Sequence, residues 1–147
     1  MARLRLAVAL LLAALLGSAI SVQVQAQENF AVALKDIEQH VGDVNSMLRE
    51  LSNMTTAAQA ATFEETLKGK VASFLDHVKK VDGHGPELRI AFRAGGNIHP
   101  NVVMARKHYD DVNQNVYPKL SAEMVRVEQL RPSLKPFFDQ IRNMHLQ

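Results

Sequence analysis

His84, His99 and His108 fall in one stretch of the chain with Asp110 and Asp111, and such a set could ligate a metal ion. No two of these histidines are four residues apart, the spacing that turns two imidazoles toward one ion from a single helix. His84 and His99 are flanked by glycine or proline and read as loop residues, and Asp110 and Asp111 read as neighbours on two helix faces. Met47, Met54, Met104, His40 and His108 could hold a non-covalent haem between bundle helices. The same methionines serve equally well as core filler. Serines are present, but no nucleophile elbow is, and no glycine-rich phosphate loop precedes a helix. "RAGGN" (93–97) follows a short helical stretch and reads as a helix stop. The expectation is a non-enzymatic protein with neither metal nor cofactor.

What remains is apolar patterning, all of it at helical spacing. Phe30, Leu34, Ile37, Val41, Val44, Leu48 and Leu51 step by four and three, a heptad seam over the first segment. That seam predicts a long helix packing within the chain or on another copy of it, so a homo-oligomer or protein partner through Phe30–Leu51 is one outcome. Asn53-Met54-Thr55 after it is a glycosylation sequon, with Asn53 as the acceptor where the source is a eukaryote and the loop exposed. A second helix is predicted through Phe63, Leu67, Val71, Phe74, Val78 and Val81, with Thr62 and Glu65 as a capping box. "DGHGP" (82–86) should end it, and "PELRIAFRA" (86–94) should form a separate short helix. Helical spacing returns over 101–130, where Pro118 either kinks the helix or divides it. Pro132 should stop that helix and Ser133 cap the next, whose apolar face holds Leu134, Phe137, Phe138 and Ile141. No alternation suggests strands. The fold class is all-α, a small bundle of four to six amphipathic helices with Pro- and Gly-marked junctions.

The N-terminus bounds the compartment. Arg3 and Arg5 precede the uncharged run from Leu6 to Ile20, and Val24-Gln25-Ala26 suits cleavage before Gln27. This is the layout of a secretory signal peptide over 1–26, leaving 27–147 as one helical domain. A membrane anchor is the alternative, but the apolar core is shorter than the roughly 20 residues of a spanning helix. The mature protein is therefore expected to be secreted, or periplasmic in a bacterium, and not an integral membrane protein. Removing Arg3 and Arg5 from the 17 Lys+Arg leaves 15, against 15 Asp+Glu, so the basic pI is no sign of nucleic-acid binding. Residues 27–65 hold seven acids and two bases, and residues 66–147 hold eight acids and thirteen bases. The two halves could attract one another within the fold, or the basic half could meet anionic partners. With no cysteine, the chain must be held by burial alone, and thiol or iron–sulfur chemistry is excluded.

Apolar helices build either a solid core or a core with a cavity, and the same residues line both. One segment favours the cavity. Leu130, Pro132, Lys135, Phe137, Asp139 and Ile141 are spaced in a way that resembles the nematode fatty-acid- and retinol-binding proteins. The resemblance is confined to this segment, and Pro136 departs from the small helix former usual there. It implies a secreted, helical, cysteine-free carrier with an internal apolar cavity for fatty acids or retinoids. Phe137 and Ile141 would then lie toward ligand or core, with Lys135 outside or at the rim. Together with the helical pattern this makes Leu134, Phe137, Phe138 and Ile141 the expected ligand-binding residues, facing Phe74 and Phe92. Arg89 or Arg93 would sit near a carboxylate head. The rival expectation is a secreted interaction module with a solid core, acting through the seam or the charge-polarised surface.

Overall fold

A computed structural model describes the backbone of residues 2–94 and 98–143, and the side chains of Gln25, 27–94 and 98–143. The signal-peptide reading of 1–26 falls, Gln25 apart, on residues outside that side-chain description. Among the described residues all regular structure is helical. Helix α1 spans Ala2–Ser52 and α2 spans Ala57–Arg93. Helix α3, Pro100–Asp111, passes through a π-helical turn at Val112–Val116 into α4, Tyr117–Leu130, so the three form one rod. A 3-10 turn at Pro132–Leu134 leads into the short α5, Lys135–Arg142. Three long antiparallel rods thus carry a short fourth helix packed on α2 and α4. No helix among the described residues is long and apolar enough to cross a membrane.

The caps and breaks follow local chemistry, though not always where the pattern suggested. Thr56, in extended conformation, caps α2, and Thr56 with Gln59 closes the capping box. Thr62 lies one turn inside the helix, its hydroxyl donating to the Ala58 carbonyl. The capping box predicted at Thr62 and Glu65 therefore stands six residues early, because Ala57, Ala58 and Ala60 are good helix formers that extend the first turn. "DGHGP" does not end α2 either; Pro86 lies inside the helix, which runs unbroken to Arg93. Glycine and proline in a helix interior cost about 1 and 3 kcal/mol. Packing on both sides offsets this. Val78 and Val81 are buried before the breakers, Leu88 packs on the core after them, and His84 Nε2 meets Asp36 Oδ2 at 2.7 Å. Gly95 and Gly96 lie outside the described residues, and α2 ends just before them.

Pro118 does not divide the third rod, which passes through the π turn into α4. Its ring would collide with the carbonyl four residues back and it offers no N–H. The π turn takes up the extra residue, and the Tyr117 N–H reaches the Val112 carbonyl. Ser133 does not cap α5. It hydrogen-bonds to Glu64 instead, and with Arg131 it holds that carboxyl below the usual carboxylate range.

The α1 seam is rotated from the predicted one. Ile37, Val44 and Leu51 are buried as expected, but Ala33, His40 and Met47 fill the alternate positions. Leu34, Val41 and Leu48 are only partly buried against the core. The inner seam packs against this chain's own helices, in a core continuous with Phe74, Leu120, Val127 and Phe138. Cations of the basic half meet acids of the other half at Glu50–Lys70 and Glu64–Arg131, and Asp43 and Asp36 meet the imidazoles of His77 and His84. Asn53 stands exposed in the α1–α2 turn, where a glycan would meet no packing.

Candidate functional site

The length of α5 decides where the molecule is open. Its eight residues rise about 12 Å, starting beside Glu64 of α2, which bonds Arg131 at 2.7 Å. Phe92 lies 28 residues further along α2, about 42 Å away. The far halves of α2 and α3 therefore run on without a fourth helix. Between them lies a half-open groove of about 430 Å³, with Ile37 of α1 at its base. Val81, Leu88 and Phe92 of α2 and Val102, Ala105 and Tyr109 of α3 form its walls. Gly85 and Ala105 leave space where larger side chains would fill it.

Polar groups stand around this apolar lining. Arg89, Arg93, Arg106, Asp82 and Asp110 all border the groove. Arg106 is engaged, its guanidinium over the Phe92 ring at 4.5 Å and its Nε 3.4 Å from Asp110. No ion pair among the described residues holds Arg89 or Arg93. Burial pushes the Asp82 carboxyl above the usual carboxylate range, and burial likewise raises the Tyr109 phenol. The groove presents an apolar surface, two guanidinium groups that pair with no carboxylate among the described residues, and a shape open to solvent.

The predicted ligand-binding residues divide among three places. Phe92, Arg89 and Arg93 come together at the groove. Leu134, Phe138 and Ile141 are buried in the solid core at the other end, and Phe137 is packed against it. Phe74 is buried mid-bundle, its ring 4.9 Å from His40. Thus α5 does not face Phe92; it closes the opposite end.

The histidines are tied into the helix packing. Asp43 bonds His77 Nδ1, while Gln39 lies 3.3 Å from Nε2, where a hydroxyl would be needed to complete a nucleophile–base pair. His84, expected in a loop, is helical and paired with Asp36. His99 Nδ1 accepts the Asn101 N–H at the start of α3, and His108 is 3.7 Å from Glu38. Among the described residues no three His, Asp or Glu side chains gather as a metal shell. A smaller cleft of about 280 Å³ between α1 and α2 is occupied at its edges by Lys70 with Glu50 and by Asp43 with His77.

His40, which the sequence offered only as a possible haem ligand, is a buried seam residue of α1. It is 1 % exposed, pairs through Nε2 with the Tyr117 hydroxyl at 2.6 Å, and has no partner for Nδ1 among the described residues. Burial pushes its pKa down to about 4, against the opposing charge of Asp43. The same burial raises the Tyr117 phenol. A signal existed in the seven-residue spacing of Ala33, His40 and Met47, which keeps step with Ile37, Val44 and Leu51. Comparison with protein-family models, with curated proteins and with solved structures finds no match.

Proposed function

We propose that this protein is an exported, non-enzymatic carrier of a small amphipathic molecule, with a fatty acid or retinoid-like compound as the ligand class. The observation that carries the reading is the groove: an apolar trough of about 430 Å³, bordered by Arg89 and Arg93, which pair with no carboxylate among the described residues. That volume lies within the range of small-molecule sites, which are mostly apolar with a few placed polar groups. The tail would lie along Val81, Leu88, Phe92, Val102 and Ala105, and the anionic head would meet Arg89 and Arg93. Burying an acyl chain contributes about 0.8 kcal/mol per CH₂, so affinity should rise with chain length until the trough is full. The likeness of Leu130–Ile141 to the nematode fatty-acid- and retinol-binding proteins supports the ligand class, although those residues hold the fold together here.

The test is a titration with a fluorescent fatty acid, competed by oleate and by retinol. The expected result is saturable, competable binding with a blue-shifted probe. Phe92→Asp should abolish it, and Arg93→Glu should weaken fatty-acid binding about tenfold, as for loss of one charge-assisted bond. A folded protein that shows no saturable binding would end the carrier reading.

A further inference from the structure

The groove carries a carboxyl that a plain fatty acid would leave unused. Of the two carboxyls on its border, Asp110 is engaged by Arg106, while no hydrogen bond or ion pair among the described residues holds Asp82. At the same level of the bundle, Asp36 of α1 meets His84 and Glu38 lies 3.7 Å from His108. Burial raises the Tyr109 and Tyr117 phenols, and the charge of Asp82 adds to the rise at both, which puts that carboxyl on the groove side of α2. Burial also raises the Asp82 carboxyl itself.

The cations stand elsewhere along the trough. Arg93 lies about three turns further along α2 on the same face, about 16 Å from Asp82. Arg89 is between them, and its guanidinium folds back to within 3.7 Å of where a Cβ on Gly85 would stand. The lining from Asp82 to Arg93 is apolar, with Leu88 and Phe92 on one wall and Val102 and Ala105 on the other. A fatty acid with its carboxylate at Arg93 would press its methyl end against Asp82, taking water from a carboxylate and giving it no hydrogen bond. A hydroxyl at that end would donate to the carboxylate instead. An ammonium would suit Asp82 but would meet the Arg89 guanidinium, about one turn away.

We propose that the groove selects a fatty acid hydroxylated at the end remote from its carboxylate, held by Arg93 and Arg89 at one end and by Asp82 at the other. This rests on the carrier reading and makes Asp82 a specificity-determining residue. It disfavours a bare methyl end and accepts a hydroxyl, whereas the arginines serve every fatty acid alike.

The experiment displaces a bound fluorescent fatty acid with laurate, myristate and palmitate, each beside its ω-hydroxy counterpart. In the wild type the hydroxy acid should bind roughly tenfold tighter than its parent at the chain length that spans Asp82 to Arg93, as for one hydrogen bond to a charged group. Asp82→Leu offers an apolar contact to a methyl end and should reverse that order. Asp82→Asn keeps an acceptor oxygen and should retain a smaller preference for the hydroxy acid. Asp82 is exposed to solvent through the open groove, so both variants should keep the wild-type circular dichroism. The ratio within each pair is the readout, because a variant that merely loosened the groove would weaken both members together. No preference for the hydroxy acid at any of the three lengths, or the same ratio in Asp82→Leu as in the wild type, would overturn the proposal and leave the carrier reading standing. Failure of the fluorescent fatty acid itself to bind would end both.

Discussion

The two ends of the bundle are built from similar residues and come out differently. At the α5 end, Leu134, Phe138 and Ile141 are buried, and Arg126 donates to the Leu51 and Met54 carbonyls at 2.5 and 2.6 Å. The Leu51 carbonyl lies in the last turn of α1, where it also accepts the Met54 N–H, and the Met54 carbonyl lies in the turn that follows. At the α2–α3 end, Phe92 and Leu88 are left along a groove and Arg89 and Arg93 reach solvent. The difference is one short helix. Where α5 covers the space between neighbouring helices there is a core, and where it has run out there is a trough. A hydrophobic residue therefore reads as structural or as ligand-facing according to which end it occupies, and residue type alone does not say.

The largest effect should separate the ends by stability. Phe138→Ala removes a side chain that is fully buried, and should cost about 3–5 kcal/mol, read as a lowered urea midpoint by circular dichroism. Phe92→Ala should cost less than about 1.5 kcal/mol, because part of that ring already faces the groove. Equal losses would mean that the α2–α3 end is packed as tightly as the other, and the groove would lose its meaning.

Between the ends lies His40, and its effect is set by pH. Its folded pKa, about 4, is below the ordinary histidine value of 6.5. Above pH 6.5 both folded and unfolded chains leave it neutral, and it does not bias folding. As pH falls from 6.5 toward 4, the unfolded chain takes a proton that the folded chain refuses, and stability is lost. A shift of that size corresponds to about 3 kcal/mol at the acid limit. The double variant His40→Leu, Tyr117→Phe removes both polar partners, and should flatten this part of a plot of unfolding free energy against pH. An unchanged slope would place the acid sensitivity elsewhere.

The all-helical class, the rod over 101–130, the α5 boundary at Pro132 and the apolar face of α5 were legible because each rests on local spacing. Arg89, Arg93 and Phe92 were also picked out, although nothing local put them at a groove; that depends on where α5 ends. The rotation of the α1 seam was not legible, because Leu34, Val41 and Leu48 satisfy a heptad as well as Ala33, His40 and Met47 do. Choosing between them requires the partner surfaces, where Phe74 and Tyr117 receive an imidazole. The continuity of α2 through "DGHGP" was hidden for a related reason. Local propensity counts the breakers, while the Asp36–His84 bond and the contacts of Leu88 come from helices distant in sequence.

A charge comparison sharpens the contrast at smaller scale. Arg126→Ala should cost about 1–3 kcal/mol, since it removes the charged donor to the Met54 carbonyl and one of two donors to the Leu51 carbonyl. Arg93→Ala should alter the urea midpoint by no more than about 0.5 kcal/mol, while lowering fatty-acid affinity in the fluorescence titration. A reversal, with Arg93 stabilising and Arg126 neutral, would exchange the roles assigned to the two ends.

The smallest expected effect tests the segment that supports the groove wall. Gly83 is helical, and a Cβ there would meet nothing within 4 Å. Alanine would therefore add no clash, while reducing the conformational freedom that the unfolded chain loses on folding. Gly83→Ala should stabilise the protein by about 0.4–1 kcal/mol, seen as a higher urea midpoint with an unchanged slope. The magnitude depends on α2 being helical through the breaker sequence at equilibrium. If Gly83→Ala destabilises instead, the chain around residue 83 adopts a conformation that alanine resists. The groove wall from Leu88 to Arg93 would then be a separate unit, as the local sequence signals alone imply.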